Sequence, residues 1–279
     1  MTKPNRPTIC SLPESSSAPV LALRLLAAAD TAKDLAGHIA AGSFFVGTSH
    51  FFRLLDMSRL YLLDGMALAY RGHFALIRNP HLTSTGMNTS APFVFANTLM
   101  GILSNGECTH IGCAFDTPEP THRHKEFEPY KAQREAMPED LQVALPYVRR
   151  ICEALRISVL TAPGWEADDI IGTLAQQAAA KGIETYMVTP DKDYGQLVTE
   201  KTFVLKPGRA GSDEEVQGIA EINARWKIER PEQVIDILGL MGDTSDNVPG
   251  VPGIGEKTAQ KLIGQYGSVE RNTSNCESS

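Results

Sequence analysis

The sequence predicts an α/β fold, in which a mainly parallel central sheet is flanked by helices on both faces and a smaller helical module is appended. Three observations predict it. From Met57 onward, short apolar runs that read as buried strands alternate with segments of helical periodicity. Acidic residues recur just after those runs, where open parallel sheets build their sites. The chain has 279 residues, 42% hydrophobic and 21% charged, enough for one sizeable core plus a small second module.

Residues 1–56 stand apart. A Ser/Pro-rich start (SLPESSSAP), an Ala/Leu stretch and FFVGTSHFFRLLD share no pattern with the rest of the chain, so the segment is expected to be an extension outside the functional fold. RLYLLDG (59–65) reads as the first buried strand and SAPFVFANTLMGIL (90–103) as a helix. THIGCAFD (109–116) is the second strand, and PEDLQVALPYVRRICEAL (138–155) an amphipathic helix with Pro138 suited to its first turn. ISVLTA (157–162) is the third strand, EADDIIGTLAQQAAA (166–180) a helix, and IETYMVT (183–189) the fourth strand. Residues 231–265 turn helical and Gly-rich. The expected organisation is an extension at 1–56, a core at 57–230 and a helical module at 231–279.

The formal net charge of −7 gives no whole-molecule basic footprint for nucleic acid. It does not exclude that partner, because carboxylates neutralised by bound cations still count as negative and local charge decides binding. Five cysteines, an odd number with no CxxC, argue against a disulfide framework or structural zinc and for a reducing cytoplasm. No run of about 18 apolar residues suggests a membrane span. APVLALRLLAAA (18–29) has the look of a signal-peptide core, interrupted by Arg24.

GWEADDIIGTLA (164–175) crowds Glu166, Asp168 and Asp169 into four positions. Two like charges about 4 Å apart repel by roughly 4 kcal/mol at an effective dielectric near 20. Either these acids form a solvated helix start or something positive sits between them. Asp64 closes the first strand, Asp116 the second, and Asp191 and Asp193 of TPDKDYGQL follow the fourth. Asp243 and Asp246, in GDTSDN, are candidates for two more from the helical module. Taken singly, each has an ordinary explanation as an N-cap, a turn residue or an acidic first helical turn. Four strand ends delivering acids to one edge point instead to a nest that needs cations. All-oxygen ligation selects Mg²⁺ or Mn²⁺ over zinc. Two such ions about 3.5–4 Å apart are the usual arrangement for phosphodiester hydrolysis.

GVPGIGEKT (250–258) is not a phosphate loop, because Glu256 stands where the lysine after the last glycine is required. A helix, a Gly-Ile-Gly hairpin and a second helix fit better. Gly253 and Gly255 allow close approach of backbone N–H groups to a phosphate, with Lys257, Thr258 and Lys261 adding contacts. Such a grip reads no bases; the alternative is a plain Gly-rich helix connection. THRHKEFEPYKAQREAMPEDL (121–141) is a long basic connection, either functional or a mobile solvated loop. Arg123, Lys125, Lys131 and Arg134 are placed to hold a substrate phosphate, and Tyr130 to stack on a base. His122 and His124 have no matching ligand pair and read as loop residues.

LYLLDGMALAYRGHFAL, GMNTSAPFVFANTL, AFDTPEPTHRHKEFEPYKAQRE, GWEADDIIGTLA, VTPDKDYGQLV and LGLMGDTSDNVPGVPGIGEKTAQKLI together resemble the 5′-nuclease domain of bacterial DNA polymerase I, part of the flap endonuclease superfamily. The resemblance runs from about Leu60 to Ser268. It implies a PIN/flap-endonuclease-like fold with a helix–hairpin–helix element and a helical arch near 117–140. It implies Mg²⁺-dependent 5′→3′ exonuclease and flap cleavage of DNA by a monomer in the bacterial nucleoid, beside a polymerase portion on the same or a separate chain. By the same resemblance, one metal lies near Asp64, Asp116, Glu166, Asp168 and Asp169, and a second near Asp191, Asp193, Asp243 and Asp246. Lys131 and Arg134 match phosphate-steering residues of the arch, and Arg71 a basic residue near the scissile phosphate.

Residues 1–56 have no counterpart in that resemblance. The tail RNTSNCESS replaces helices that would continue the module, which is therefore expected to be shortened. Two other readings compete. A PIN-type ribonuclease shares an acidic edge but does not need a DNA-gripping hairpin such as GIGEKTA. A truncated, non-catalytic DNA-binding fragment would bind structured DNA without cleaving it.

Overall fold

The computed structural model describes residues 58–208 and 214–270. The expected extension at 1–56 and the tail from Arg271 lie outside the described residues.

Six strands form one sheet in the order β3-β2-β1-β4-β5-β6. They are β1 (Arg59–Asp64), β2 (His110–Ala114), β3 (Ser158–Leu160), β4 (Glu184–Val188), β5 (Thr202–Lys206) and β6 (Glu215–Gln217). All pairings are parallel except β5 with β6 at the edge. β1 is central and buried on both faces, which is why RLYLLD reads as a continuous apolar run. Its side chains alternate: Leu60 and Leu62 enter one core, Tyr61 and Leu63 the other.

On the Tyr61/Leu63 side lie α1 (Gly65–Ala75), α2 (Ser90–Ser104) and α4 (Glu139–Ala154), burying Leu68, Phe95, Leu99, Leu141 and Val148. On the opposite side α5 (Ala167–Ala180) packs Ile170, Ile171 and Leu174 against Leu60 and Leu62. α6 (Ile219–Trp226), α7 (Gln233–Met241) and α8 (Glu256–Tyr266) extend that core through Trp226, Ile237 and Ile263. Burial at about 25 cal/mol per Å² of apolar surface is what holds these layers together. No helix among the described residues is long and apolar enough to cross a membrane.

Several sequence expectations are refined. Pro138 sits at the N-cap of α4 rather than in its first turn. The 121–141 connection is not a free loop: His122 and His124 lie on a short helix, α3 (His122–Glu126), and the turns after it dock against residues 244–247. Between α7 and α8 a two-stranded pair, β7 (Gly242–Asp243) with β8 (Val248–Pro249), brings Gly242 so close to Gly250 that a Cβ on Gly242 would lie 2.3 Å from the Gly250 nitrogen. Gly242 also has φ +73, so only glycine fits there without strain.

Candidate active site

Register brings the acids together. β1 lies between β2 and β4, the point at which the strand order reverses and an open sheet leaves a crevice. Asp64 is opposite Ala114 of β2 and one step beyond the Leu63–Val188 pair of β4. Asp116 follows two residues after β2, and Asp191 three after β4. Asp64, Asp116, Glu166, Asp168 and Asp191 line one cleft of about 650 Å³, together with Lys131, Arg134, Tyr70 and Tyr194.

Each carboxylate is held differently. Asp64 is the N-cap of α1, its Oδ1 accepting from the Ala67 N–H at 2.9 Å. Its Oδ2 accepts from the Tyr194 hydroxyl at 3.0 Å and from Thr189 Oγ1 at 3.4 Å. Burial, reinforced by the charge of Asp116, pushes its pKa up to about 6. Asp116 Oδ1 accepts from the Ala167 N–H at 2.7 Å, at the start of α5. Burial raises its pKa too. Asp191 Oδ1 accepts from the Asp193 N–H at 3.0 Å.

The crowded EADD acids separate into three environments. Asp169 is fully buried, and Arg123 grips both its oxygens at 2.7 and 2.8 Å. Asp169 Oδ2 also accepts from the Glu166 N–H at 3.1 Å. Glu166 meets Arg123 Nη1 at 2.9 Å, the Tyr130 hydroxyl at 2.8 Å and the Lys131 ammonium. Burial works to raise the Glu166 pKa, but Lys131, Arg123 and Tyr130 outweigh it and hold the carboxyl below its ordinary value. Asp168 is half-buried at the cleft, and its pKa is driven well up by desolvation and by the charges of Asp169 and Glu166.

The remaining acids form an adjoining group. Lys192 Nζ bonds Asp243 at 3.1 Å and lies 3.6 Å from Asp193 Oδ1. Burial opposes charge on Asp243, yet Lys192 and the Ser245 and Asp246 N–H groups bring its pKa below the ordinary value. Asp193 keeps a buried Oδ1 with no hydrogen-bond partner, and burial plus the charge of Asp191 pushes its pKa up to about 7. Asp246 is held by Arg134 at 2.6 Å and by Tyr130 at 3.0 Å.

Two residues expected at the substrate sit elsewhere. Arg123 is committed to Asp169 and Glu166 inside the protein, so it is an internal ion-pair partner rather than a phosphate contact. Tyr130 is 6% exposed with its hydroxyl turned to Glu166 and Asp246, which leaves no open ring face for a base. Arg71 donates to the carbonyls of Pro207 and Gly208, on the stretch after β5. Lys131 adopts a left-handed φ of +55, held by its N–H bond to the Asp246 carbonyl at 2.9 Å. Non-glycine residues rarely adopt that conformation, and such strain gathers at functional sites. Gly253, Gly255, Lys257, Thr258 and Lys261 are all exposed around the start of α8, with φ +80 at Gly253.

Sequence reasoning passed over Tyr194, Thr189 and Lys192. Lys192, between the two acids of DKD, carried the available signal, because a lysine there has carboxylates on either side.

A mainly parallel sheet whose strand ends gather carboxylates in a switch-point cleft defines the class, an α/β protein with a candidate cation site. More particularly, the chain belongs to the 5′-3′ exonuclease family. Residues 59–227 match its N-terminal resolvase-like domain, and residues 229–279 its C-terminal SAM fold. The second match includes the tail set apart by the sequence reading. The chain is 42% identical over 219 residues to DNA polymerase I of Bacillus subtilis, covering 78% of this chain and 24% of that protein. It thus spans about a quarter of that relative's length. It is 38% identical over 221 residues to the 5′-3′ exonuclease of Aquifex aeolicus, covering 79% and 74% of the two chains. The fold matches that of the bacteriophage T5 flap endonuclease, solved as a pseudo-enzyme–product complex with DNA and metal ions. That match has a TM-score of 0.62 and 19% identity, and covers 77% of each chain.

Proposed function

We propose that this chain is a divalent-metal-dependent 5′→3′ exonuclease and 5′-flap endonuclease acting on DNA in replication and repair. One observation carries the reading: five carboxylates from the ends of four strands and the segments that follow them converge on one cleft that also holds the Lys131 and Arg134 side chains. The donors fit hard cations, being all oxygen. The raised pKa values of Asp64, Asp168 and Asp193 mark a cluster rich in buried negative charge.

Asp64, Asp116, Glu166, Asp168 and Asp191 would hold Mg²⁺ or Mn²⁺ in the cleft, with Asp193, Asp243 and Asp246 as candidates for a further ion. When bound, such ions activate water and stabilise charge on the attacking and leaving oxygens of a phosphodiester. Lys131 and Arg134 supply positive charge to position the scissile phosphate, and Arg71, beside the Pro207–Gly208 carbonyls, is a candidate to assist. Asp169, expected among the metal ligands, takes a supporting part instead: clamped by Arg123, it fixes the start of α5 and hence the aim of Glu166 and Asp168. Residues 231–270 act as a helix–hairpin–helix module, with the Gly253–Gly255 backbone, Lys257, Thr258 and Lys261 gripping duplex phosphates without reading sequence. The chain works as a monomer in the bacterial cytoplasm at the nucleoid, beside a polymerase portion in the same or a separate polypeptide.

The test is cleavage of a 5′-flap duplex by the purified chain with Mg²⁺ and with EDTA. Mg²⁺-dependent products near the flap junction are expected. An intact flap from a folded, DNA-binding chain would leave a non-catalytic DNA-binding fragment as the reading.

A further inference from the structure

The acids of the cleft come from segments on opposite sides of the sheet's switch point, and something must fix their separation. Asp64 ends β1, while Asp191 and Asp193 lie on the segment that leaves β4 and enters a 3₁₀ turn, Asp193–Leu197. Tyr194 belongs to that turn. Its ring is 1% exposed, part of the core cluster shared by α5, α6 and α7, yet its hydroxyl reaches the cleft wall. There it donates to Asp64 Oδ2 at 3.0 Å. Thr189, also buried, places its hydroxyl 3.4 Å from the same oxygen and accepts the Asp191 N–H at 3.2 Å. With the Ala67 N–H on Oδ1, both Asp64 oxygens are oriented before any ion arrives.

We propose that Tyr194, with Thr189 behind it, is a positioning residue: it locks the Asp64 carboxylate and pins the Asp191–Leu197 segment across the switch point, so that acids from β1 and β4 address one cation. This rests on the metal-site reading above. The physical ground is that groups bonded to a ligating carboxylate set its direction, and losing them typically weakens metal affinity roughly 10- to 100-fold. A hydroxyl anchored by a ring in the core is a stiff donor, because rotation of the ring would disturb close packing. The neighbourhood is tight: a Cβ on Gly195, the next residue, would sit 3.3 Å from Ile222 and 3.6 Å from Trp226.

The test is direct Mn²⁺ binding to the full chain without DNA, followed by electron paramagnetic resonance, in native protein and in Tyr194→Phe. The phenylalanine keeps the ring and removes only the hydroxyl. Affinity should fall roughly 10-fold or more, with thermal unfolding in EDTA little changed. Trp226→Phe, which alters packing beside Gly195 but leaves the Asp64 bonds in place, should bind Mn²⁺ as the native chain does. Native affinity in Tyr194→Phe overturns the inference, as does an equal loss in Trp226→Phe. Should Tyr194→Phe not fold, Thr189→Val carries the same test on the same oxygen, and native affinity there overturns it. A native chain that binds no Mn²⁺ would instead remove the metal-site reading and this inference with it.

Discussion

Arg123→Met separates internal support from substrate contact. In the native chain Arg123 holds both oxygens of Asp169 and one of Glu166, with 14% of its side chain exposed. Methionine keeps much of the volume and removes the charge. Glu166 would still have Lys131 and Tyr130, so its loss is small. Asp169 would keep the Glu166 N–H, but its buried negative charge would lose the guanidinium that answers it. Breaking a buried pair from one side costs about 3–5 kcal/mol. Because Asp169 retains a backbone donor, the lower end, about 3 kcal/mol, is the better figure. For a domain of this size each kcal/mol moves the unfolding midpoint by about 2–4 °C, giving a fall of about 6–12 °C.

Urea unfolding in EDTA measures the loss free of metal effects. A cycle with Asp169→Asn tests its cause. Once the acid is neutral, removing Arg123 should cost much less, with a coupling of about 1–3 kcal/mol. A loss under about 1 kcal/mol in Arg123→Met, or strict additivity in the cycle, would refute the internal clamp and return Arg123 to the substrate side.

Three further outcomes are expected from the same geometry. Asp116→Ala and Asp191→Ala should each cut turnover at least 100-fold, by roughly 3 kcal/mol of lost transition-state stabilisation, while flap affinity stays near native; unchanged cleavage by both would remove them from the chemistry. Asp64 and Asp193 have folded pKa values of about 6 and about 7, above their ordinary 3.8. The folded chain therefore holds those protons more tightly than the unfolded chain, so their stabilisation is complete below about pH 4 and lost as pH rises through 6 to 7. Metal-free protein should lose roughly 3 kcal/mol across that window from Asp64 alone, and Mg²⁺ should restore it above pH 7; a flat or rising urea profile in EDTA would contradict this. Lys257→Ala and Lys261→Ala should each lower the salt dependence of duplex binding by about one phosphate contact, read from the slope of log affinity against log salt, with little sequence preference in the loss.

How much of this was legible depends on where each signal lives. β1 was legible because a strand buried on both faces must be apolar at every position, and RLYLLD is nearly so. The start of α5 was legible because acids favour a helix N-terminus. α1 is harder to read: GMALAYRGHFA contains two glycines, and the helix is secured by tertiary contact, with Gly72 letting Ala91 of α2 approach and Asp64 capping its first turn. β6 is three residues long and exists through its pairing with β5. Arg123 and Tyr130 were misplaced for one shared reason. In a stretch rich in His, Lys, Arg and Glu, local composition reads as a solvated surface, and only folding of α3 and the turns after it against α5 turns those two side chains inward. A count of charge would have helped: three acids within four residues require cations from elsewhere, and the 121–141 stretch is where they are most concentrated.

The crowding of EADD is resolved by helical geometry. Successive residues at the start of a helix point about 100° apart, so acids adjacent in sequence need not share a partner. Asp169 points into the protein and meets Arg123. Glu166, just before the helix, points toward the turns at Tyr130 and Lys131. Asp168 lines the cleft, and no ion pair to it is seen among the described residues. Its high pKa follows from that position, since its neighbours' charges are answered by side chains while its own is not. The same division recurs beyond α5: Asp246 is answered by Arg134 and Asp243 by Lys192, while Asp64 and Asp116 receive backbone and hydroxyl donors but no cation within ion-pair distance among the described residues. Side-chain cations thus pair with one set of acids, while another, Asp64, Asp116 and Asp168, faces a common cleft with no ion pair among the described residues. A fold selected for stability alone would have little reason to keep that second set; a site that must recruit divalent ions requires it.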